Sequence, residues 1–241
     1  MTITLEKTVR EIATETPASI RVFEKFGIDY CCGGRKSLEQ ACAELQLSSE
    51  QVIEKLDEAT RQPAEPEPGQ WQQASLASLV QHIVRRHHSF VRKELPRLEQ
   101  LAEKVLNRHG QAHPELGRIR DAFLELRDEL SEHMMKEEQI LFPHIVRAEH
   151  ALQARQSAPD SCFGTVANPI AMMMHEHDTA GSLIAEIRTL SGNFVPPPTA
   201  CPSYQGLYAG FHDFEQDLHR HIHLENNILF PRAVEMEKLS S

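Results

Sequence analysis

His133-Met-Met-Lys-Glu137-Glu-Gln-Ile-Leu-Phe-Pro143 recurs 88 positions later as His221-Ile-His-Leu-Glu225-Asn-Asn-Ile-Leu-Phe-Pro231. Each copy has a histidine and a glutamate four residues apart, followed by Ile-Leu-Phe-Pro. Residues i and i+4 lie on one face of an α-helix, so each copy directs an imidazole and a carboxylate to the same point. Paired nitrogen and oxygen donors suit a first-row transition metal. The duplication predicts that two such helices contribute to one metal site.

Helical periodicity continues through residues 71–241, which show no strand-like alternation of apolar and polar side chains. Proline and glycine interrupt the pattern near residues 109–114, 151–169 and 192–202. These breaks divide the region into four helices of roughly 25–35 residues, and short connections make neighbouring helices antiparallel. The sequence therefore predicts an all-α fold, with an antiparallel four-helix bundle as the main domain.

A small helical domain, residues 1–61, precedes the bundle. Its clearest helix signals are two capping boxes, Thr8-x-x-Glu11 and Ser37-x-x-Gln40. A Pro-rich segment, residues 62–70, follows it as a semi-rigid linker. Such a linker predicts little coupling between the two domains, so that a fragment beginning near Trp71 folds alone and keeps its metal site.

Cys31 and Cys32 lie in the tight loop Asp29-Tyr-Cys-Cys-Gly-Gly34 of the small domain. A disulfide between adjacent cysteines is strained, and an odd total of five cysteines also indicates free thiols. The flanking glycines predict an accessible loop, as iron capture or thiol exchange would require. The alternative is a loop whose cysteines only pack.

Counting residues from the turns identifies histidines at one level of the bundle. In an antiparallel hairpin, two residues share a height when they are equally far from the turn. The mirror position of His133 through Gly110 is residue 87 or 88, and both are histidines.

The second hairpin gives the same result. The mirror position of His221 through Thr199 is His177, and the midpoint of His133 and His177 falls in the remaining connection. Each of the four helices thus contributes a histidine at one level, with Glu137 and Glu225 one turn further along.

This donor set favours two metal ions. Imidazole and carboxylate suit iron, manganese or zinc better than copper(I) or calcium. Two carboxylates that can bridge, together with four imidazoles, are generous for one ion and sufficient for two. We therefore expect a dinuclear iron site with room for an oxo or hydroxo bridge or a small exogenous ligand.

Composition excludes other classes of function. The net charge of −10 argues against nucleic acid or an anionic membrane as a partner. No apolar run approaches the roughly 20 residues that span a bilayer, and the N-terminus has no features of a secretion signal. A cytoplasmic location is the resulting expectation.

The motifs resemble those of hemerythrin-like bundles and, more closely, the di-iron proteins that repair iron–sulfur clusters. That family joins an N-terminal domain with Tyr-Cys-Cys-Gly-Gly, here residues 30–34, to a hemerythrin-like domain. The resemblance covers essentially the whole chain. It selects His88 over His87, because the family histidine lies seven residues before Leu-Pro, here Leu95-Pro96. The iron ligands that it implies are His88, His133, Glu137, His177, His221 and Glu225.

The same resemblance implies a stress-response protein that restores iron–sulfur clusters damaged by nitric oxide or oxidants, by donating iron. Cys31 and Cys32 would be the iron-transfer thiols, damaged iron–sulfur proteins the clients, and nitric oxide or oxygen small ligands. A homodimer is also expected. The alternatives are a di-iron nitric oxide reductase or peroxidase, and a sensor or carrier of small gases. A simple carrier has no need of the Cys-Cys-Gly-Gly domain, which favours repair.

Overall fold

Helices make up most of the protein in the computed structural model, which describes residues 3–16, 18–31, 33–61, 70–157 and 161–239. These ranges contain no strand, only one isolated bridge between Thr8 and Ser37. The prediction of an all-α fold is confirmed.

The N-terminal unit contains the short helices α1 (Val9–Glu15), α2 (Ser19–Phe26), α3 (Leu38–Glu44) and α4 (Ser49–Arg61). Both predicted capping boxes are present, since the Thr8 and Ser37 side chains each accept the backbone N–H of the third helical residue. The helices enclose a small apolar core of their own. Residues 62–69 of the predicted linker lie outside the described residues.

Four long helices form the bundle. The first comprises α5 (Leu76–Ile83), the π-helical turn π1 (Val84–His88) and α6 (Ser89–His109). The second comprises α7 (Glu115–Lys136), the turn π2 (Glu137–Leu141) and α8 (Phe142–Gln153). The third is α9 (Ala167–Leu190), and the fourth comprises α10 (Pro202–Leu224), the turn π3 (Glu225–Leu229) and α11 (Phe230–Leu239). Consecutive helices contact each other, the fourth returns to the first, and α8 of the second helix also contacts α11 of the fourth.

The π turns are a feature that the sequence analysis did not predict. In π2 and π3, the N–H of Phe142 and Phe230 bonds to the carbonyl five residues back, at Glu137 and Glu225. Proline follows each phenylalanine and lacks an N–H, so one carbonyl of the turn loses its usual donor in any case. Single π turns are frequent at functional sites.

A polar layer separates two apolar cores within the bundle. One core includes Leu98, Phe123 and Phe211 from α6, α7 and α10. The other joins α5 and α8 to α11 and includes Phe142 and Phe230. The three π turns lie between these cores, and His88, Glu137 and Glu225 point from them into the layer.

The N-terminal unit docks directly on α10 and π3. Arg220 of α10 donates two hydrogen bonds to Glu24, each 2.7 Å long. The Tyr30 hydroxyl also donates to Glu24, at a distance of 3.1 Å. Asn227 of π3 donates to the Tyr30 carbonyl over 3.1 Å, and the Tyr30 side chain is fully buried. The prediction of little coupling between the two domains is therefore wrong.

Among the described residues, none of the helices is both long enough and apolar enough to span a lipid bilayer.

Candidate metal centre

Four histidine rings meet in pairs within the polar layer. His88 Nε2 lies 3.1 Å from His221 Nε2, and His177 Nε2 lies 3.0 Å from His133 Nε2. All four rings are buried. One ring comes from each bundle helix, and of the two histidines that mirror counting allowed in the first helix, His88 is the one in this cluster.

Two carboxylates lie between the histidine pairs. Glu137 Oε2 is 3.3 Å from His88 Nε2 and 3.4 Å from His133 Nε2. Glu225 reaches both pairs in the same way, with Oε1 3.0 Å from His221 Nε2 and Oε2 3.1 Å from His177 Nε2. The six side chains therefore form two groups of potential metal ligands, and both carboxylates belong to both groups.

The chemistry of these groups fits two bridged cations. Both oxygens of Glu137 and one of Glu225 are buried without a hydrogen-bond partner among the described residues. A buried carboxylate without donors is costly unless a cation compensates it. Two ligands at right angles and about 2.1 Å from an octahedral ion lie about 3 Å apart, which is close to the separation within each histidine pair.

The carboxylates also control the charge of the layer. Burial disfavours charged imidazoles, but the nearby carboxylates of Glu137 and Glu225 outweigh it and raise the pKa of His88 to about 10. Glu225 similarly outweighs burial at His177 and raises its pKa to about 9. Protons on these rings supply positive charge that metal ions would otherwise provide.

Three further side chains, which lie outside the two ligand groups, orient three of the histidines. His88 Nδ1 lies 2.6 Å from Glu138 Oε1, His133 Nδ1 lies 2.9 Å from Glu176 Oε2, and His177 Nδ1 lies 2.9 Å from Asn226 Oδ1. Each partner atom accepts, so each Nδ1 carries a proton, and Nε2 is the nitrogen that a metal ion would bind in place of a second proton. Such partners fix the tautomer and the orientation of ligand histidines.

Sequence reasoning missed Glu138, Glu176 and Asn226. The signal that could have found two of them is the repeat itself, because Glu138 and Asn226 each follow the shared carboxylate directly. Glu176 precedes His177, and its pKa falls to about 2, chiefly because of the hydrogen bond from His133 and despite burial.

The phenylalanines of Ile-Leu-Phe-Pro have a second role that the repeat also encodes. Phe142 stacks on His88 with ring centroids 5.7 Å apart, and Phe230 stacks on His177 at 6.0 Å. Each repeat copy therefore covers a histidine of another helix as well as filling the core.

Comparison with known proteins supports the sequence resemblance. Residues 79–233 match the family described as the hemerythrin HHE cation binding domain. The chain is 39% identical over 232 residues to the "Iron-sulfur cluster repair protein YtfE" of Musicola paradisiaca, covering 96% of this chain and 98% of that relative. It is 37% identical to a "Probable iron-sulfur cluster repair protein" of Haemophilus influenzae, covering 95% and 97% of the two chains. The protein named YtfE in Escherichia coli is 38% identical, covering 93% and 94%.

The chain belongs to the iron–sulfur cluster repair family.

Both parts of this repair-family chain are recognised separately. Residues 5–60 match a second family, described only as a domain of unknown function. The N-terminal unit and the hemerythrin-like bundle together account for the full-length likeness to the named relatives.

The thiol of Cys31 is buried, whereas the sequence predicts an accessible thiol at this position. Its side chain is only 5% exposed and packs within the apolar core between α6, α7, α9 and α10. The Cys31 thiol donates to Asp29 Oδ1 over 3.2 Å, and the same oxygen accepts the Cys31 N–H. The expectation of an accessible loop is wrong for Cys31, because the loop docks on the bundle. Cys32 lies outside the described residues.

The last residue of the motif, Gly34, has no space for a side chain. A Cβ atom on Gly34 would lie 2.7 Å from the Tyr30 carbonyl oxygen, which is backbone and has little room to move. The tight loop therefore depends on the missing side chain, which lets Tyr30 and Cys31 reach α10.

Other histidines near the centre do not join the two groups of potential ligands. His87 stacks on His221 at 5.6 Å and lies 3.1 Å from Asp217. His223 is buried and contacts Tyr30, with ring centroids 5.5 Å apart. His144 lies against Phe163, which packs on the apolar core that includes Phe142 and Phe230. These rings support the bundle and its interface with the N-terminal unit.

Proposed function

We propose that this protein repairs iron–sulfur clusters damaged by nitrosative or oxidative stress, and that it does so by donating iron from a di-iron centre. The observation that carries the proposal is the pair of ligand groups that share Glu137 and Glu225. Sharing of two buried carboxylates is the arrangement expected for two adjacent cations rather than one. The names of the full-length relatives supply the reaction in which such iron would be used.

In this proposal six side chains hold the iron. His88 and His221 bind one ion, His133 and His177 bind the other, and Glu137 and Glu225 bridge them. Bound iron supplies the cargo for cluster rebuilding and coordination positions for nitric oxide or oxygen.

The surrounding residues keep this ligand set ready for binding. Glu138, Glu176 and Asn226 hold three imidazoles with Nε2 directed inward. Phe142 and Phe230 cover His88 and His177 and exclude water from that side. Six ligands leave each ion short of six-coordination, which favours exchange and donation over permanent storage.

Cys31 and Cys32 are part of the proposal as iron-transfer thiols. Thiolates bind iron well, but the Cys31 thiol is buried against the bundle. Transfer through Cys31 therefore requires the N-terminal unit to move on α10. Contact with a damaged client protein is the proposed cause of that movement.

The proposal includes the cytoplasm as the place of action, and a homodimer as the assembly. Free thiols at Cys42, Cys162 and Cys201 suit a reducing compartment.

The test follows labelled iron. Protein loaded with ⁵⁷Fe is incubated with a [4Fe–4S] dehydratase damaged by nitric oxide, and iron-free protein serves as the control. We expect two irons per chain, recovery of dehydratase activity with loaded protein, and ⁵⁷Fe in the rebuilt cluster. Recovery without ⁵⁷Fe in the cluster would contradict iron donation. Rapid catalytic loss of nitric oxide without iron transfer would favour the alternative of a di-iron enzyme.

A further inference from the structure

Asn226 contacts the metal centre and the N-terminal unit at the same time. Its side-chain oxygen accepts the Nδ1 proton of His177 over 2.9 Å. Its backbone carbonyl accepts a hydrogen bond from Arg10 Nη2 of α1 over 3.3 Å. Asn226 is 5% exposed, the contact with His177 is buried, and the contact with Arg10 is partly buried.

The neighbouring residue strengthens this connection. Asn227 donates from one amide nitrogen to the Tyr30 carbonyl over 3.1 Å and to His223 Nδ1 over 2.8 Å. Consecutive residues of π3 are therefore held by the N-terminal unit. Glu225, the shared carboxylate, begins the same turn.

The other half of the metal centre is supported differently. Glu138 occupies the repeat position equivalent to Asn226 and contacts His88. The cation that holds Glu138 is Arg92 of α6, which donates over 2.6 Å and belongs to the bundle itself. An arginine supports each half, but only the arginine beside Asn226 comes from the N-terminal unit.

We propose that Asn226 is a positioning residue through which docking of the N-terminal unit tightens iron binding at the His133–His177 half of the centre. Arg10 fixes the backbone of Asn226, and the Asn226 amide fixes the ring of His177. When the N-terminal unit moves away, this half holds iron less tightly, while the His88–His221 half keeps its support from Arg92. This inference rests on the proposed di-iron ligands and adds which iron leaves first and what releases it.

The test measures iron loss from full-length, iron-loaded protein to an excess of a ferrous chelator. Arg10→Met keeps the aliphatic stem but removes the donor, and Asn226→Ala removes the contact with His177 while its carbonyl remains. We expect Asn226→Ala to release one iron equivalent about tenfold faster, the lower end of the usual effect of losing such a partner. Arg10→Met should release the same equivalent about threefold faster, as one hydrogen bond of ordinary strength implies.

The combination of both changes separates a relay from general loosening. If Arg10 acts through the Asn226 side chain, the double variant releases iron at the rate of Asn226→Ala alone. Asn226→Asp should restore slow release, because its carboxylate accepts the same Nδ1 proton. Lys7→Ala is the matched control, since Lys7 is a cation of the same unit whose side chain bonds to Glu15 within that unit.

The inference is overturned if Arg10→Met releases iron at the wild-type rate, if Lys7→Ala matches Arg10→Met, or if the two effects multiply in the double variant. Iron Mössbauer spectra give a second readout, because only one of the two iron signals should change in Asn226→Ala. A wild-type protein that does not hold two irons would instead contradict the proposed metal centre, and this is measured before any variant is compared.

Discussion

The carboxylate of Glu138 accepts a hydrogen bond from His88 Nδ1 over 2.6 Å, and the same oxygen accepts one from Arg92 over 2.6 Å. Burial favours the neutral acid, but His88 and Arg92 outweigh it and lower the pKa of Glu138. A charged acceptor on Nδ1 makes the opposite nitrogen of an imidazole a stronger ligand.

Replacing Glu138 should therefore weaken iron binding without touching a ligand. We expect Glu138→Ala to lower iron affinity by about tenfold or more, and Glu138→Gln to lower it less because an acceptor remains. Competition with a chelator of known affinity measures the change. Glu99→Ala is the control, since Glu99 pairs with Arg127 nearby but contacts no ligand histidine. Equal effects of Glu138→Ala and Glu99→Ala would contradict this role.

The ligand set itself gives the clearest prediction. His133→Ala or Glu225→Ala should remove most of the iron, because each change takes a donor from a buried group. His144→Ala should keep two irons per chain, since His144 packs against Phe163 instead. Metal analysis of the purified proteins measures the difference. Full iron retention in Glu225→Ala would show that the carboxylate is not a ligand.

Burial of Cys31 predicts slow reaction with alkylating reagents. In the folded protein, Cys162 is exposed and should be modified quickly, whereas Cys31 should react only after the N-terminal unit moves or unfolds. Peptide mass spectrometry after timed maleimide exposure gives both rates. Modification of Cys31 as fast as Cys162 would mean that the loop is open in solution.

The thiols also have a functional test. Changing both Cys31 and Cys32 to Ser should leave iron content near normal but slow reactivation of a dehydratase damaged by nitric oxide. Repair at the wild-type rate would show that the bundle alone carries the activity.

Deleting the N-terminal unit tests how much it stabilises the bundle. A fragment starting at Trp71 keeps the bundle's own residues in both apolar cores, but it loses Cys31 from one core and exposes the surface that Tyr30 covers. Loss of the contacts at Arg220, Asn226 and Asn227 should lower the midpoint of thermal unfolding by about 5 °C or more. Calorimetry of the fragment and the full chain measures this. An unchanged midpoint, with unchanged iron retention, would mean that docking contributes nothing.

Tyr30 makes this docking sensitive to alkaline pH. Burial first, and then the charge of Glu24, raises the pKa of Tyr30 well above its usual value of 10.0. Above pH 10 the unfolded chain loses a proton from Tyr30 that the folded protein keeps. The stabilisation that protonated Tyr30 contributes is therefore complete below pH 10 and declines as the pH rises further.

Tyr30→Phe cannot ionise, and it loses only the hydrogen bond to Glu24. At pH 8 we expect it to be less stable than wild type by about 1 kcal/mol. Near pH 11 this gap should close. Ionisation of Tyr30 in the unfolded chain lowers the free energy of unfolding of wild type by about 1.4 kcal/mol per pH unit above the pKa of the unfolded tyrosine. Denaturant unfolding at several pH values measures both curves. Parallel curves would contradict burial of the hydroxyl.

The sequence was informative about the four histidines of the polar layer because their heights in the bundle follow from simple geometry. Equal distances from a turn fix the height of His133 and His177, whatever the side chains around them. The partners of these histidines depend on how helices rotate about their axes, which counting cannot supply. In the sequence, nothing distinguishes Glu138, which follows Glu137, from a glutamate on a solvated helix face.

The N-terminal interface was missed for a related reason. Arg220 and His223 are polar residues on a helix, and composition alone assigns such residues to a solvated face. In the structure, Arg220 pairs with a buried Glu24 and His223 packs on Tyr30. A Pro-rich linker indicates that two units are separate in sequence, but it does not determine whether they pack together.

Each π turn contains one residue more than the α-helical turn that it replaces, so the helix emerges from it out of phase by about 100°. Phe142 and Phe230 directly follow two of these turns and stack on His88 and His177. Deletion of a single residue such as Gln139 would make the second bundle helix regular, yet would rotate every side chain of α8 away from its neighbours. In the three bundle helices that contain a π turn, the segments on opposite sides of the polar layer thus follow separate periodicities, whereas α9 crosses the layer without interruption. A design that replaces those three helices by uninterrupted ones would align one core and misdirect the other.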